Sequence, residues 1–166
     1  MILVVDDDEY YTRYISGHLH SLGYDVLIAN TADSAIETIK EHGDNIQAAI
    51  LDLMMHPGEL MTAHNTKDGF ETGIVLAVLF RKAFPGIKLI CSSFLMRTDA
   101  SMCLKASEVF DYILPKPLDV TSELPSILKL IAENSESKVK AIDALKLSPG
   151  MFGLGVDLKE LVKWVK

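Results

Sequence analysis

Acidic residues stand together directly after an apolar run near the start of the sequence. The run ILVV leads into Asp6, Asp7 and Asp8, and a further carboxylate, Asp52, follows the run AAIL. Carboxylates that crowd together raise one another's pKa unless a cation neutralises them. A group of oxygen ligands that leaves positions open for water suits Mg²⁺ better than a closed Ca²⁺ cage. The pattern therefore favours a magnesium site.

A lysine and a pair of hydroxyl side chains follow two later apolar runs. Ser92 and Ser93 close the run IKLICSS, and Lys116 comes directly after DYILP. A lysine is a point charge on a flexible stem and can stabilise an anion. Pro115 and Pro117 flank Lys116 and restrict its backbone, which argues against an ordinary solvated lysine. The two serines also fit a turn or a helix cap, and the sequence leaves that alternative open.

Short apolar runs alternate with longer amphipathic stretches over most of the chain. The apolar runs predict strands at 2–5, 25–29, 47–54, 87–93 and 111–115. The amphipathic stretches predict helices at 8–22, 32–42, 69–84, 97–107 and 119–133. Strands that are apolar on both faces and separated by helices indicate an α/β fold, a three-layer (βα)5 doubly wound parallel sheet.

The carboxyl ends of parallel strands meet at one edge of a sheet, where such folds bind their ligands. The predicted strands bring the acids, the serine pair and Lys116 to this edge. Two of the acids have a simpler assignment. Asp8 and Glu9 fit the start of a helix, where negative charge interacts favourably with the helix dipole.

Composition limits the possible functions. The 166 residues are 49% hydrophobic, which suits one compact domain with an appendage. A net charge of −7 argues against binding to a phosphate backbone. The longest apolar run, at 74–80, is much shorter than the ~18 residues of a membrane span. Cys91 and Cys103 fit neither a metal spacing nor a disulfide framework. We therefore expect a soluble, cytoplasmic protein.

The combination of LVVDD, LDLMM, CSS and PKP, in this order and on these strands, resembles the receiver domain of two-component response regulators. The resemblance is to the single-domain, chemotaxis-regulator-like kind and covers about residues 1–134. It implies the flavodoxin-like receiver fold. It also implies that Asp52 accepts a phosphoryl group, and that Asp6, Asp7 and Asp52 bind Mg²⁺ together with the backbone carbonyl of Met54.

The same resemblance assigns roles to the lysine and to one hydroxyl. It implies that Lys116 contacts the phosphoryl group and that a hydroxyl on the fourth strand senses it. We assign that role to Ser92, because Ser93 then supplies the small residue that normally follows; Ser93 takes the role if the register shifts. Receivers usually carry an aromatic residue three positions before the lysine. Here that position is Ile113, and Tyr112 precedes it, so either the fifth strand bulges or the aromatic coupling is absent.

The connection after Asp52, MMHPGELMTAHNTKDG, is longer than is typical of receivers. A loop of this length is usually functional or mobile. His56, Glu59 and His64 could suggest a metal site, but HPGEL lacks the second histidine of a zinc-protease motif. We interpret the connection as a solvated loop without a metal.

Residues 135–166 form a predicted helical C-terminal extension of a receiver domain at 1–134. Its last segment places Leu158, Leu161 and Val165 at helical spacing, which predicts docking on the receiver or on a second copy. The extension is too short for a DNA-binding output domain. We expect a sensor histidine kinase or phosphotransfer protein as the phosphodonor, a downstream protein as the partner, and a possible homodimer.

Two other functions fit parts of the pattern. A pseudo-receiver would keep the fold as an interaction module without phosphorylation, and Ile113 and the long loop favour that interpretation. An aspartyl-phosphate phosphatase would use Asp52 as a transient nucleophile, but its DxDxT motif is not matched by DLMMH. We expect at most self-phosphorylation and self-dephosphorylation, and no metabolic catalysis.

Overall fold

The computed structural model describes residues 1–61 and 66–135. Its strands form one parallel sheet in the order β2-β1-β3-β4-β5. The strands are β1 (Ile2–Val5), β2 (Val26–Ala29), β3 (Ala48–Leu51), β4 (Lys88–Ser93) and β5 (Tyr112–Pro115). The predicted third strand, 47–54, was too long at its end, so that Asp52 lies just beyond β3.

The α-helices of the described residues alternate with the strands. They are α1 (Glu9–Ser21), α2 (Ala32–His42), α3 (Thr72–Ala83), α4 (Ala100–Val109) and α5 (Glu123–Ser135). Short 3-10 turns at Gly43–Asn45 and Phe94–Arg97 complete the connections. The predicted flavodoxin-like, doubly wound α/β fold is confirmed.

Local sequence signals set the starts of the first two helices. The Asp8 side chain caps α1 by accepting hydrogen bonds from the backbone N–H groups of Tyr10 and Tyr11. Thr31 and Ser34 form a reciprocal capping box at the start of α2. Such caps satisfy backbone donors that have no partner inside the helix. The assignment of Asp8 to a helix start is thereby confirmed.

Two apolar clusters cover the two faces of the sheet. One cluster joins the sheet to α2, α3 and α4, and the other joins it to α1 and α5. Successive residues of a strand point to opposite faces, so the odd-numbered and the even-numbered residues of a strand belong to different clusters. In β1, β3 and β4 the odd-numbered Leu3, Leu51 and Cys91 belong to the first cluster, and even-numbered residues such as Val4 and Ile90 belong to the second.

The start of α3 packs tightly against the end of β3. A Cβ atom at Gly73 would lie 1.9 Å from the carbonyl oxygen of Asp52, so no larger residue fits without movement. The Gly73 N–H donates to the Leu53 carbonyl at 2.9 Å. Residues Thr72 to Phe80 are all buried, which confirms that the aliphatic stripe of this helix is core.

Within the described residues, no helix has the length and apolarity that crossing a membrane requires. Helix α5 ends at Ser135, next to the proposed boundary between the receiver and its extension. Residues 136–166, including the predicted docking segment, lie outside the described residues. The division into two parts therefore stays a prediction.

Candidate functional site

Four polar side chains lie on one face of the sheet, at the edge formed by the carboxyl ends of the strands. Asp6, Asp52, Ser92 and Lys116 all occupy even-numbered positions, at or just past the carboxyl ends of their strands. Their side chains therefore lie on the face of the sheet that packs against α1 and α5. All four are buried, and each is at most 8% exposed. The acids and the lysine that the sequence singled out therefore do converge.

Lys116 joins two of the carboxylates. Its Nζ lies 2.5 Å from Asp6 Oδ2 and 2.9 Å from Asp52 Oδ2. Burial alone would favour the neutral amine, but the charges of Asp52 and Asp6 prevail and raise the pKa of Lys116. The ammonium therefore stays protonated at neutral pH.

The backbone around Lys116 is held from two sides. Its N–H donates to the Ser93 carbonyl at 3.2 Å, and its own carbonyl accepts from Arg97 Nε at 2.9 Å. The peptide bond from Lys116 to Pro117 is cis. The two hydrogen bonds hold the backbone from which the Lys116 side chain extends toward Asp6 and Asp52.

Each buried carboxylate also accepts a backbone hydrogen bond. Asp6 Oδ1 accepts from the Asp8 N–H at 3.1 Å, and Asp52 Oδ1 accepts from the Leu53 N–H at 2.7 Å. Burial raises the pKa of Asp6 to about 6, although Lys116 acts in the opposite direction; the charge of Asp52 adds to the rise. The Asp6 carboxylate is thus costly to ionise without further positive charge.

The acids have the composition of a site for a hard cation. Carboxylate oxygens of Asp6, Asp7 and Asp52 all lie within 4.8 Å of one another, the one such group found among residues 1–61 and 66–135. Asp7 is exposed and can face water. Three carboxylates against one ammonium leave a charge of about −2, which a divalent ion would balance. The donor set therefore fits Mg²⁺, and Met54 follows Asp52 closely enough in sequence to belong to the same loop.

The two serines point to opposite faces of the sheet. Ser92 has the same parity as Asp52 and Lys116, whereas Ser93 has the parity of the cluster that packs on α3 and α4. Both side chains are buried. Extending the β3–β4 register by one residue from Leu51–Cys91 sets Ser92 beside Asp52. This geometry supports the assignment of Ser92 rather than Ser93.

Tyr11 is a site residue that sequence reasoning missed. Its hydroxyl shares a hydrogen bond with Ser92 Oγ, with 2.9 Å between the oxygens. The Lys116 ammonium lies 4.4 Å from the centroid of its ring, within the range of a cation–π contact. A signal was present, because Tyr11 stands four residues before the inward-facing Ile15.

Position 113 is a regular strand residue. The pairing of β4 with β5 runs without a break from Ile90–Tyr112 to Ser93–Pro115, so a bulge in the described strand is the wrong explanation. Ile113 packs against the cluster on the side of α2, α3 and α4, and Tyr112 against the other. The usual aromatic residue is therefore absent from position 113.

The described part of the long connection after β3, up to Met61, is anchored to the core, contrary to the expectation of a solvated loop. The Asp33 carboxylate at the start of α2 accepts from the N–H groups of Glu59 and Leu60, at 2.7 and 3.0 Å. Met55 and Met61 are buried in the core because they pack with the cluster that covers α2. His64, one of the three residues of the rejected metal site, lies outside the described residues.

Another buried acid lies at the other end of this connection. Glu71 Oε1 accepts from Lys67 Nζ at 2.7 Å and from Lys105 Nζ at 2.5 Å. Burial opposes its ionisation, but the hydrogen bonds from the two lysines prevail and lower the pKa of Glu71. This cluster ties the start of α3 to α4.

Comparison with solved structures relates this geometry to receiver domains. The CheY-like response regulator receiver domain protein from Methanospirillum hungatei JF-1 is 22% identical, with a TM-score of 0.66 over 82% of this chain and 97% of that chain. The BeF3-activated DrrB receiver domain is 21% identical, with a TM-score of 0.60 over 80% of this chain and 96% of that chain.

A third similar structure is a response regulator protein from Burkholderia pseudomallei with a phosphorylated aspartic acid and a calcium ion. It is 20% identical, with a TM-score of 0.59 over 81% of this chain and 68% of that chain. Neither the comparison with protein-family models nor that with curated proteins gives a match. At these identities the likeness establishes the fold. The chain therefore has the fold of response-regulator receiver domains, with an acidic group at its carboxyl edge.

Proposed function

We propose that this protein is a response regulator of a phosphorelay, in which Asp52 accepts a phosphoryl group from a histidine kinase or a phosphotransfer protein. The observation that carries the proposal is the Lys116 ammonium, held by Asp6 and Asp52 within one group of three acids. An ion pair that only stabilised the fold would need one carboxylate beside the lysine. Here two carboxylates contact Lys116, and a third, the exposed Asp7, lies close to them. This arrangement suits a reaction that brings in a cation and an anion.

The reaction is an exchange of one phosphorus bond for another. An oxygen of the Asp52 carboxylate attacks the phosphorus, the bond from phosphorus to the donor nitrogen breaks, and the nitrogen retains the electron pair. The product is an acyl phosphate, which carries close to two negative charges. An anionic nucleophile and an anionic donor repel each other, so positive charge must offset that repulsion.

The protein supplies one such charge itself. Lys116 can stay near Asp52 while it turns toward the phosphoryl oxygens, because its stem is flexible and its backbone is fixed. Asp6, Asp7, Asp52 and the Met54 carbonyl would hold Mg²⁺. When bound, Mg²⁺ would supply Lewis-acid stabilisation of the transferring phosphoryl oxygens.

A buried hydroxyl next to Asp52 supplies a means of sensing the product. We assign this role to Ser92, which is 1% exposed and whose side chain shares its face of the sheet with the acceptor. A hydroxyl that bonds to the phosphoryl group can move the end of β4 and the turn Phe94–Arg97 that follows it. The altered surface would then bind a downstream protein partner or a second copy of the chain.

Intact mass spectrometry tests the proposal. Incubation with acetyl phosphate and Mg²⁺ should add the mass of one phosphoryl group, in a form that is lost in alkali. The addition should disappear in Asp52→Asn and in the wild type with EDTA. An unmodified wild type would favour the pseudo-receiver function, and modification of Asp52→Asn would place the acceptor elsewhere.

A further inference from the structure

The hydrogen bond between Tyr11 and Ser92 connects α1 directly to the proposed sensing hydroxyl. We propose that Tyr11 is a positioning residue that holds the Ser92 hydroxyl in the unphosphorylated state, and that a phosphoryl oxygen on Asp52 displaces it. The inference rests on the proposed function. It assigns to the first helix a part in the switch.

The burial of Ser92 makes a partner necessary. Ser92 is only 1% exposed, so its hydroxyl has little access to water, and an unpaired buried hydroxyl is costly. Within the described residues, the Tyr11 hydroxyl at 2.9 Å is the hydrogen-bond partner of the Ser92 side chain. Either hydroxyl can donate in this bond. When Ser92 is the donor its single proton is already used, so a new acceptor beside Asp52 competes with Tyr11 for it.

The position of Tyr11 is fixed independently of this bond. Its backbone N–H donates to the capping carboxylate of Asp8 at 3.1 Å, which holds it in the first turn of α1. Its ring packs against the cluster formed with α1 and α5 and lies beneath the Lys116 ammonium. The tyrosine hydroxyl is therefore presented to Ser92 by a rigid helix end, and not by a mobile loop.

The phenol acts here as a neutral hydroxyl. Burial raises the pKa of Tyr11, while its hydrogen bond with Ser92 and the charge of Lys116 oppose the rise. A change to phenylalanine removes this hydroxyl and retains the ring against Lys116. Tyr11→Phe therefore keeps the packing of the ring and removes the bonds of the hydroxyl, which are those with Ser92 and with the Leu118 backbone. The Ser92→Ala background separates these two bonds.

The proposal predicts opposite signs for two measurements. Without its partner the Ser92 hydroxyl is unsatisfied in the resting state, so Tyr11→Phe should be less stable than the wild type. The same loss removes the competitor of the phosphoryl group, so the dissociation constant of the phosphoryl analogue BeF3⁻ should fall roughly two- to ten-fold. A tyrosine with a purely structural role would lower stability and leave the affinity unchanged.

The experiment measures BeF3⁻ binding to the full chain in saturating Mg²⁺ by ¹⁹F NMR, and unfolding by urea without BeF3⁻. The variants are Tyr11→Phe, Ser92→Ala and the double variant. Tyr10→Phe is the matched control, because Tyr10 lies on the same helix and is 86% exposed. We expect tighter binding in Tyr11→Phe, no change in Tyr10→Phe, and no effect of Tyr11→Phe in the Ser92→Ala background.

Each other result rejects the inference in a recognisable way. Equal or weaker binding by Tyr11→Phe, with a wild type that binds BeF3⁻, would reject the role of Tyr11 and leave the proposed function intact. An effect of Tyr11→Phe on the BeF3⁻ affinity that persists without the Ser92 hydroxyl would show that Tyr11 acts by another route. A wild type that binds no BeF3⁻ and accepts no phosphoryl group would reject both proposals.

Discussion

Lys116 and Asp6 form an ion pair, with 2.5 Å between Nζ and Oδ2, in which each side chain is only 3% exposed. Taking two charges out of water is expensive, and such pairs often contribute little net stability. Removing one partner is different, because it leaves an uncompensated charge in the interior. The pair therefore makes the protein sensitive to metal ions, to pH and to substitution at either residue.

Lys116→Met should reduce the free energy of unfolding at pH 7 by roughly 3–5 kcal/mol, because the buried carboxylates of Asp6 and Asp52 lose their cation. Urea denaturation in EDTA measures the loss. Lys105→Met is the matched control, since Glu71 would keep its bond from Lys67. Equal losses in the two variants would contradict the central place given to Lys116.

Mg²⁺ should raise the melting temperature of the wild type by mass action, since it binds the folded acids and relieves their repulsion. Asp7→Ala should remove most of this increase and change the metal-free stability by no more than about 0.5 kcal/mol, because Asp7 is exposed. Asp8→Ala is the control. It should lose a helix cap worth about 1 kcal/mol and keep the response to Mg²⁺. Equal responses in wild type and Asp7→Ala would locate the metal elsewhere.

The raised pKa of Asp6 predicts how stability depends on pH without divalent ions. Its value of about 6 in the folded protein exceeds the ordinary 3.8, so the folded state binds this proton more tightly than the unfolded chain does. The contribution of Asp6 to stability is therefore present below pH 4 and is lost as the pH rises to about 6. The difference corresponds to roughly 3 kcal/mol.

Asp6→Asn removes this titration and serves as the comparison. In EDTA, its stability relative to the wild type should increase between pH 4 and pH 7 and then stay constant. Urea denaturation across this range measures the trend. A stability difference that is independent of pH would show that Asp6 titrates normally.

Gly73→Ala should destabilise the protein by about 1–3 kcal/mol and slow phosphorylation, because its methyl group would collide with the Asp52 carbonyl. Denaturation and the rate of mass increase with acetyl phosphate give the two measurements. Gly17→Ala is the control: a methyl group at Gly17, in α1, would meet nothing within 4 Å and should stabilise the helix. Normal phosphorylation in Gly73→Ala would mean that α3 can move without disturbing Asp52.

The sequence predicted most of the sheet because its strands are short apolar runs that alternate with amphipathic helices. Parallel strands carry their carboxyl ends to one edge, so the convergence of Asp6, Asp52 and Lys116 followed from the order of the elements alone. The predicted ends were less accurate, as at β3, where apolar residues continue past the last paired position. The pattern of apolar and polar residues does not show at which residue the hydrogen bonding between neighbouring strands ends.

The contacts that sequence reasoning missed join elements far apart in the chain. The bond from Tyr11 to Ser92 spans 81 positions, and the anchoring of Glu59 by Asp33 spans 26. Both depend on how helices pack against the sheet and on how a connection folds back. Periodicity shows which side of a helix faces inward, but not which residue it meets there.

The site residues and the core residues on one face of the sheet both occupy even-numbered positions, and this has an evolutionary consequence. A deletion of one residue within β1, β3, β4 or β5 would exchange the faces to which the later side chains of that strand point, which would disturb both apolar clusters and turn its functional residue away from the other three. Selection against a misfolded core therefore also removes variants with a displaced acceptor, lysine or hydroxyl. Individual core residues can drift, provided that strand lengths are inherited unchanged.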